Sequence, residues 1–310
     1  MRATIPRPTA LLRTAAVLVS ALVLGAGLTS CAASADDRPL VVATTNILGD
    51  VVGELLGDQA EVMTLMPPDA DPHSFEISAR DAARITGAQL IVSNGLGLEE
   101  GLTQHLETAA EEGVPLVEAG SLVDVLETES GAADPHFWTD PVQMVAVVEG
   151  VTEAVIDEVP GVDTAEVRSN AEAYTAELEA LDAEMAEAFA AIPVEQRKLV
   201  TNHHVFGYLA VRYDFAVIGA VIPSGTTLAA PSASDLDELS TAIETAGVHT
   251  IFADSSQPDR LVQVLADEAD VDVAVVPLFT ESLTAGSGEA PTYLTMMRAN
   301  TERIATGLSP

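Results

Sequence analysis

Apolar and polar positions follow two different spacings along this chain, and the switches between them predict its elements. Compact runs rich in Val, Ile and Leu at 40–44, 62–66, 90–93 and 114–117 read as buried strands. Between them, apolar residues recur every three or four positions at 47–56, 78–86 and 98–112, the spacing of helices. Strand and helix taking turns is the signature of a mostly parallel sheet covered by helices. After Pro141 the rhythm changes: 142–159 reads as helix, Pro160-Gly161 interrupts it, and helical spacing resumes at 163. There the apolar positions are Val167, Ala171, Tyr174, Leu178, Leu181, Met185, Phe189 and Ile192, with Glu and Asp filling the opposite face. One helix over 164–192 would span about 43 Å at ~1.5 Å per residue, more than is needed to cover one sheet. Beyond Pro193 the alternation restarts, with strands at 199–201, 216–221, 250–253 and 273–276 and helices at 205–213, 234–246, 258–268 and 292–306. The pattern predicts an α/β fold of two lobes, each a mostly parallel sheet flanked by helices, joined by one long rigid helix. The lobes are expected at 40–162 and 193–310, with the joining helix at 163–192. Gly, Ser, Thr, Ala and Pro mark 224–234 and 284–291 as loops, the stretches expected to be most mobile.

Composition narrows the function classes. Thirteen Lys and Arg face 48 Asp and Glu, a formal charge of −35, so no basic stripe exists to grip nucleic acid phosphates. Cys31 is the only cysteine, which excludes disulfides and any multi-cysteine metal site, so a bound metal must be held by His and carboxylate. Arg2, Arg7 and Arg13 precede an apolar stretch at 15–28 that is too short for a spanning helix and reads as the core of a signal peptide. Leu28-Thr29-Ser30-Cys31 follows at once and resembles a bacterial lipobox. That resemblance implies a signal peptide at 1–30, lipidation of Cys31 and a tether at 31–39 that keeps the chain on the outer face of the cell membrane. A plain secretory signal is the alternative, and either one exports the protein.

Six histidines are present. His105 sits in a polar stretch of a predicted helix and His249 at the entrance to a strand, and both read as ordinary surface or edge residues. His73 lies in Asp71-Pro72-His73-Ser74-Phe75-Glu76, His136 in Asp134-Pro135-His136-Phe137-Trp138-Thr139-Asp140-Pro141, and His203-His204 in Asn202-His203-His204-Val205-Phe206-Gly207-Tyr208. Each falls where a predicted strand gives way to a loop, the edge at which ligands of open α/β sheets gather. Three neutral imidazoles and a carboxylate suit Zn²⁺, or Mn²⁺ if the carboxylate uses both oxygens. Three unrelated loop histidines would show the same spacing.

Taken together with Phe279-Thr280-Glu281-Ser282 and the opening Val41-Val42-Ala43-Thr44-Thr45-Asn46, these motifs resemble the zinc/manganese-type substrate-binding lipoproteins of bacterial metal ABC importers over nearly the whole mature chain. The resemblance implies extracytoplasmic capture of one divalent transition metal ion, no organic cofactor, no catalysis, delivery to a cognate ABC permease, membrane attachment through Cys31 and a monomeric protein. It assigns the metal to His73, His136, His203 and Glu281, with His204 beside the site and Asp254 as the alternative carboxylate. Glu281 stands where the family typically has Asp, one methylene longer. No His-rich insertion separates His73 from His136, which points to the manganese branch, whereas a third His points to zinc, so Zn²⁺ and Mn²⁺ both stand. Two other classes compete. One is a zinc hydrolase with an open fourth position, although no His-Glu-x-x-His or Gly-x-Ser-x-Gly is present. The other is an adhesin-like surface lipoprotein. The single long helix further predicts lobes that stay nearly fixed, with metal released by local loop motion.

Overall fold

Two sheets with the same strand order carry the molecule. In the computed structural model, which describes residues 38–309 apart from 129–130, 258–259 and 269–272, the first sheet is built from β1 (Leu40–Ala43), β2 (Glu61–Thr64), β3 (Leu90–Ser93) and β4 (Leu116–Glu118) in the order β2-β1-β3-β4. The second uses β5 (Lys198–His203), β6 (Ala216–Ile222), β7 (Thr250–Asp254) and β8 (Ala274–Leu278) in the order β6-β5-β7-β8. Every pairing is parallel. The predicted signal peptide, Cys31 and most of the tether lie outside the described residues, as does the start predicted for the 258–268 helix. Helices α1 (Asn46–Leu56), α2 (Ala79–Ile85), α3 (Thr103–Glu111) and α4 (Pro141–Glu158) belong with the first sheet, and α6 (Gly207–Tyr213), α7 (Ala233–Ala246), α8 (Arg260–Glu268) and α9 (Tyr293–Gly307) with the second.

Between them runs α5 (Thr164–Ala190). It starts where Asp163 accepts from the N–H groups of Ala165 and Glu166, satisfying two of the donors a helix start leaves unpaired. Its stripe from Val167 to Phe189 is buried throughout. That stripe packs against α4 and α1 from the first lobe and α9 from the second, so a single helix serves both. One continuous core results, containing Val41 and Leu55 from the first lobe, Leu178 and Phe189 from α5, and Phe252 and Tyr293 from the second. Alternation along the strands then fills the outer faces. Val41 and Ala43 point into the shared core while Val42 joins a separate cluster with Ile91 and Met63; likewise Val200 and Ile251 form a cluster on the far face of the second sheet. The fold is therefore the two-lobe α/β arrangement that the apolar pattern predicts.

Most boundaries shift by one or two residues from the sequence reading, and two of the differences have a visible cause. The helix expected over 98–112 is broken into a 3-10 turn at Glu100–Leu102 and α3. Gly95, Leu96 and Gly97 all have positive φ, and the Glu99 carboxylate takes the N–H groups of Asn94 and Gly95, which holds this stretch as a loop. Strand β5 continues two residues past its apolar run, because Asn202 and His203 are buried and His203 pairs with Ile222 of β6. Among the described residues, no helix is long and apolar enough to cross a membrane.

Candidate metal centre

Four side chains from strand ends of both sheets meet at one point. His73 comes from the loop after β2, His136 from the loop after β4, His203 from the last position of β5 and Glu281 from the loop after β8. All four are at most 2% exposed. Glu281 Oε1 lies 3.0 Å from His73 Nε2, 3.4 Å from His136 Nε2 and 3.2 Å from His203 Nε2, and the Nε2 atoms of His73 and His136 are 3.4 Å apart. Tetrahedral coordination with bonds of about 2.0–2.1 Å separates neighbouring ligand atoms by roughly 3.3 Å, so these spacings are those of a four-ligand shell for a small divalent ion. Hydrogen bonding within the protein leaves the group incomplete. His203 Nε2 and Glu281 Oε2 are buried with no hydrogen-bond partner, although buried polar atoms rarely go unsatisfied. A cation among these donors would supply what the protein does not. The extra methylene of Glu281 does not carry its carboxylate past the imidazoles, since Oε1 reaches all three.

The electrostatics follow from burial and mutual contact. Burial alone would push His136 down, but hydrogen bonds to Asp134 and Glu281 outweigh it and lift the imidazole to about 9. Glu281 is opposed by burial yet held well below the usual carboxylate range by the three histidines, His203 foremost. Asp254 stands behind the site. It is buried and raised to about 7 by burial and by the charge of Glu281. Its carboxylate accepts from the backbone and hydroxyl of Ser256 at 2.7 and 2.9 Å, and it is not one of the four converging groups. His204 also lies outside them, half-buried, with its backbone N–H donating to Ser224 O at 3.0 Å. His105 and His249 are exposed, as their sequence surroundings suggest.

Local chemistry holds each ligand loop. In both Asp-Pro-His segments the Asp carboxylate accepts from the backbone N–H of the His two residues on, at 2.9 Å for Asp71 and 3.0 Å for Asp134, an Asx turn stiffened by the intervening proline. Asp134 also takes the ring, with Oδ1 2.7 Å from His136 Nδ1, which leaves Nε2 facing the other ligands. The Asp134 segment is anchored further by Asn94 Nδ2 to Pro135 O at 3.0 Å and by Tyr208 Oη to Asp134 O at 3.0 Å. Gly207 leaves room for that carboxylate, since a Cβ there would stand 2.4 Å from Asp134 Oδ2. The Glu281 loop is gripped by the first lobe: Trp138 Nε1 donates to Thr280 O at 2.8 Å, and Asn46 donates to Ser282 Oγ and accepts from Leu283 N. Reading the sequence for metal ligands misses Asn46, Asp134, Trp138 and Tyr208 as supports. Only Asp134 carries a signal, because Asp two residues before a ligand His is in place for an Asx turn.

Residues 41–307 match the family model for the periplasmic component A of the zinc-uptake complex (ZnuA). The chain belongs to this family. Within it, the chain is 32% identical to the zinc-binding protein TroA of Treponema pallidum over 289 residues, 89% of this chain and 91% of TroA. It is 28% identical to the manganese ABC transporter substrate-binding lipoprotein PsaA of Streptococcus pneumoniae, over 95% of this chain and 98% of PsaA. The solved structure of the periplasmic zinc binding protein TroA superposes on it with a TM-score of 0.82 at 29% identity, covering 88% of this chain and all of TroA. The ZnuA-type fold accounts for both sheets and the helix that joins them.

Proposed function

We propose that this protein captures one Zn²⁺ or Mn²⁺ ion outside the cell membrane through His73, His136, His203 and Glu281 and delivers it to the permease of a metal ABC importer. The observation that carries this reading is the buried convergence of three Nε2 atoms on one carboxylate oxygen at 3.0–3.4 Å. Family membership supports it, as do the zinc and manganese named for TroA and PsaA. Capture without catalysis fits the same geometry. A hydrolytic zinc keeps a coordination position for water, whereas here Glu281 is within reach of that position and all four groups are buried. The choice between metals turns on Glu281. One oxygen completes a tetrahedral zinc site, and using Oε2 as well raises the coordination number in the way Mn²⁺ favours. Attachment through lipidated Cys31 and a monomeric state complete the proposal, consistent with the lipoprotein named among the relatives.

The test is a titration of Zn²⁺ and Mn²⁺ into chelator-treated protein from residue 32 onward, alongside His203→Ala and Glu281→Ala. One tight equivalent in the wild type, lost in both variants, is the expected result. Binding by Glu281→Ala that matches the wild type would remove Glu281 from the site and reopen the hydrolase reading. Because Zn²⁺ binds most nitrogen and oxygen sites more tightly than Mn²⁺, the transported metal is read from uptake by cells carrying the importer.

A further inference from the structure

The four ligands are so deeply enclosed that an ion enters or leaves only if one ligand loop moves, and the four loops are not held alike. His203 sits on strand β5. His136 is fixed at both its backbone N–H and its Nδ1 by Asp134, whose segment is tied to Asn94 and Tyr208. Glu281 follows Phe279, whose N–H and C=O are both bound by the Asn300 side chain, and is flanked by the Asn46 and Trp138 contacts. His73 differs. It lies in a loop and its Nδ1 has no hydrogen-bond partner, whereas His203, whose Nδ1 is equally unpartnered, is fixed by its strand.

What holds the His73 loop against the second lobe is largely one carboxylate. Asp71 Oδ1 accepts from the His73 N–H at 2.9 Å, while Oδ2 accepts from Thr227 Oγ1 at 2.6 Å, Gln257 Nε2 at 2.8 Å and Ser74 Oγ at 2.9 Å. Thr227 lies in the loop after β6 and Gln257 in the turn after β7, both half-buried at the rim and neither among the metal-holding groups. A single further backbone bond, Asp69 N to Leu283 O at 3.0 Å, ties the loop to the segment carrying Glu281. The two Asp-Pro-His segments therefore share a turn and differ in use: Asp134 turns its carboxylate inward to the imidazole, and Asp71 turns its own outward across the cleft.

We propose that the His73 loop is the door of the metal site and Asp71 its latch, a positioning residue that sets how fast metal exchanges by bonding to Thr227 and Gln257. The inference rests on the proposed metal-binding function. Pro67, Pro68 and Pro72 make the loop stiff, so releasing Oδ2 lets it swing as a unit and carry His73 out of the ligand group. The latch bonds are made by the protein alone and do not require a particular ion. They raise the barrier to passage in both directions.

Stopped-flow metal binding and chelator-driven release, measured on protein from residue 32 onward, test this with Thr227→Val and Gln257→Leu, singly and together. In the double variant both the association and the dissociation rate are expected to rise roughly a hundredfold, the scale of losing two hydrogen bonds to a charged acceptor, while Kd stays within about threefold. Ser74→Ala, which removes a bond within the loop itself, should exchange at the wild-type rate, and Thr227→Ser should restore slow exchange. Unchanged rates in the double variant overturn the latch. So does a faster dissociation matched by a proportionally weaker Kd, since the bonds would then belong to bound-state affinity. A wild type that binds neither Zn²⁺ nor Mn²⁺ would instead overturn the proposed function. Thr227→Val is nearly isosteric at a rim position, so it serves alone if the double variant loses its thermal unfolding transition.

Discussion

Asp134 decides which nitrogen of His136 faces the other three converging groups. Its carboxylate holds Nδ1–H at 2.7 Å, so Nε2 is left as the lone-pair donor, and partners of this kind typically carry a 10- to 100-fold share of metal affinity. Asp134→Asn keeps an acceptor in place but removes the charge, and is expected to weaken Zn²⁺ binding by about tenfold in a chelator competition while leaving the far-ultraviolet circular dichroism unchanged. A different residue carries a pH effect on stability. Asp50 is raised to about 6, chiefly by burial and further by Glu54, against the N–H of Tyr293, which donates to its Oδ2 at 2.8 Å; the phenol of Tyr174 is the other titratable group that senses its charge. Its folded pKa exceeds its unfolded value of 3.8, so the folded state binds more protons in that interval and stability falls as pH rises from about 4 to 6. Asp50→Asn can still accept from Tyr293. It is expected to leave stability unchanged below about pH 4 and to raise it by roughly 1–3 kcal/mol above pH 6, measured by urea unfolding across that range.

Strand ends are where elements turn into a site. Each candidate ligand follows the carboxyl end of β2, β4, β5 or β8, His203 as the last residue of its strand and the others in the segments beyond, so each lobe supplies two donors. The start of α6 matters as much as the strands. Gly207 opens that helix beside Asp134, and replacing it with Ala brings a methyl group within 2.4 Å of Oδ2, closer than real Cβ contacts. Gly207 is the first residue of its helix, where Ala gains little helix propensity, so Gly207→Ala is expected to weaken metal binding through a displaced Asp134 with at most a small change in melting temperature. Thermal unfolding and metal titration on the same sample separate the two effects. Loss of stability without loss of affinity would show that the helix, and not the carboxylate, absorbs the clash.

At the scale of the whole molecule, the long helix and the bonds across the cleft argue against a wide hinge. Helix α5 packs on helices of both lobes, a single core runs through it, and Asn46, Trp138, Asp71 and Tyr208 each bond across from one lobe to the other. Hinged binders close through a few loop crossings, a device missing here in favour of one continuous helix. Small-angle scattering with and without Zn²⁺ is therefore expected to give superimposable curves. A marked compaction on metal addition would show that the lobes move as bodies.

Elements and candidate ligands were legible in the chain because their causes are local. A period of two or of three to four positions is written in neighbouring residues, and the stripe from Val167 to Phe189 specifies α5 nearly to its last turn. His73 and His136 stood out because Asp-Pro-His at a strand exit is a local motif, the His203-His204 pair because it follows a strand, and the choice of His203 and Glu281 came through resemblance. The split before α3 was not legible, since it depends on Glu99 reaching back to Asn94 and Gly95, a choice the apolar spacing of 98–112 does not record. Nor was the difference between Asp71 and Asp134 visible. The two motifs read alike, and only the surroundings brought in from distant parts of the chain, Thr227 and Gln257 for one and the His136 ring with Tyr208 for the other, send one carboxylate across the cleft and the other to a ligand. The sequence by itself determined which elements form and which side chains have the chemistry to hold a metal, because both are properties of short stretches. Tertiary structure alone decided that three Nε2 atoms stand 3.0–3.4 Å from one carboxylate oxygen, since those distances depend on how two separately folded sheets are docked against one helix.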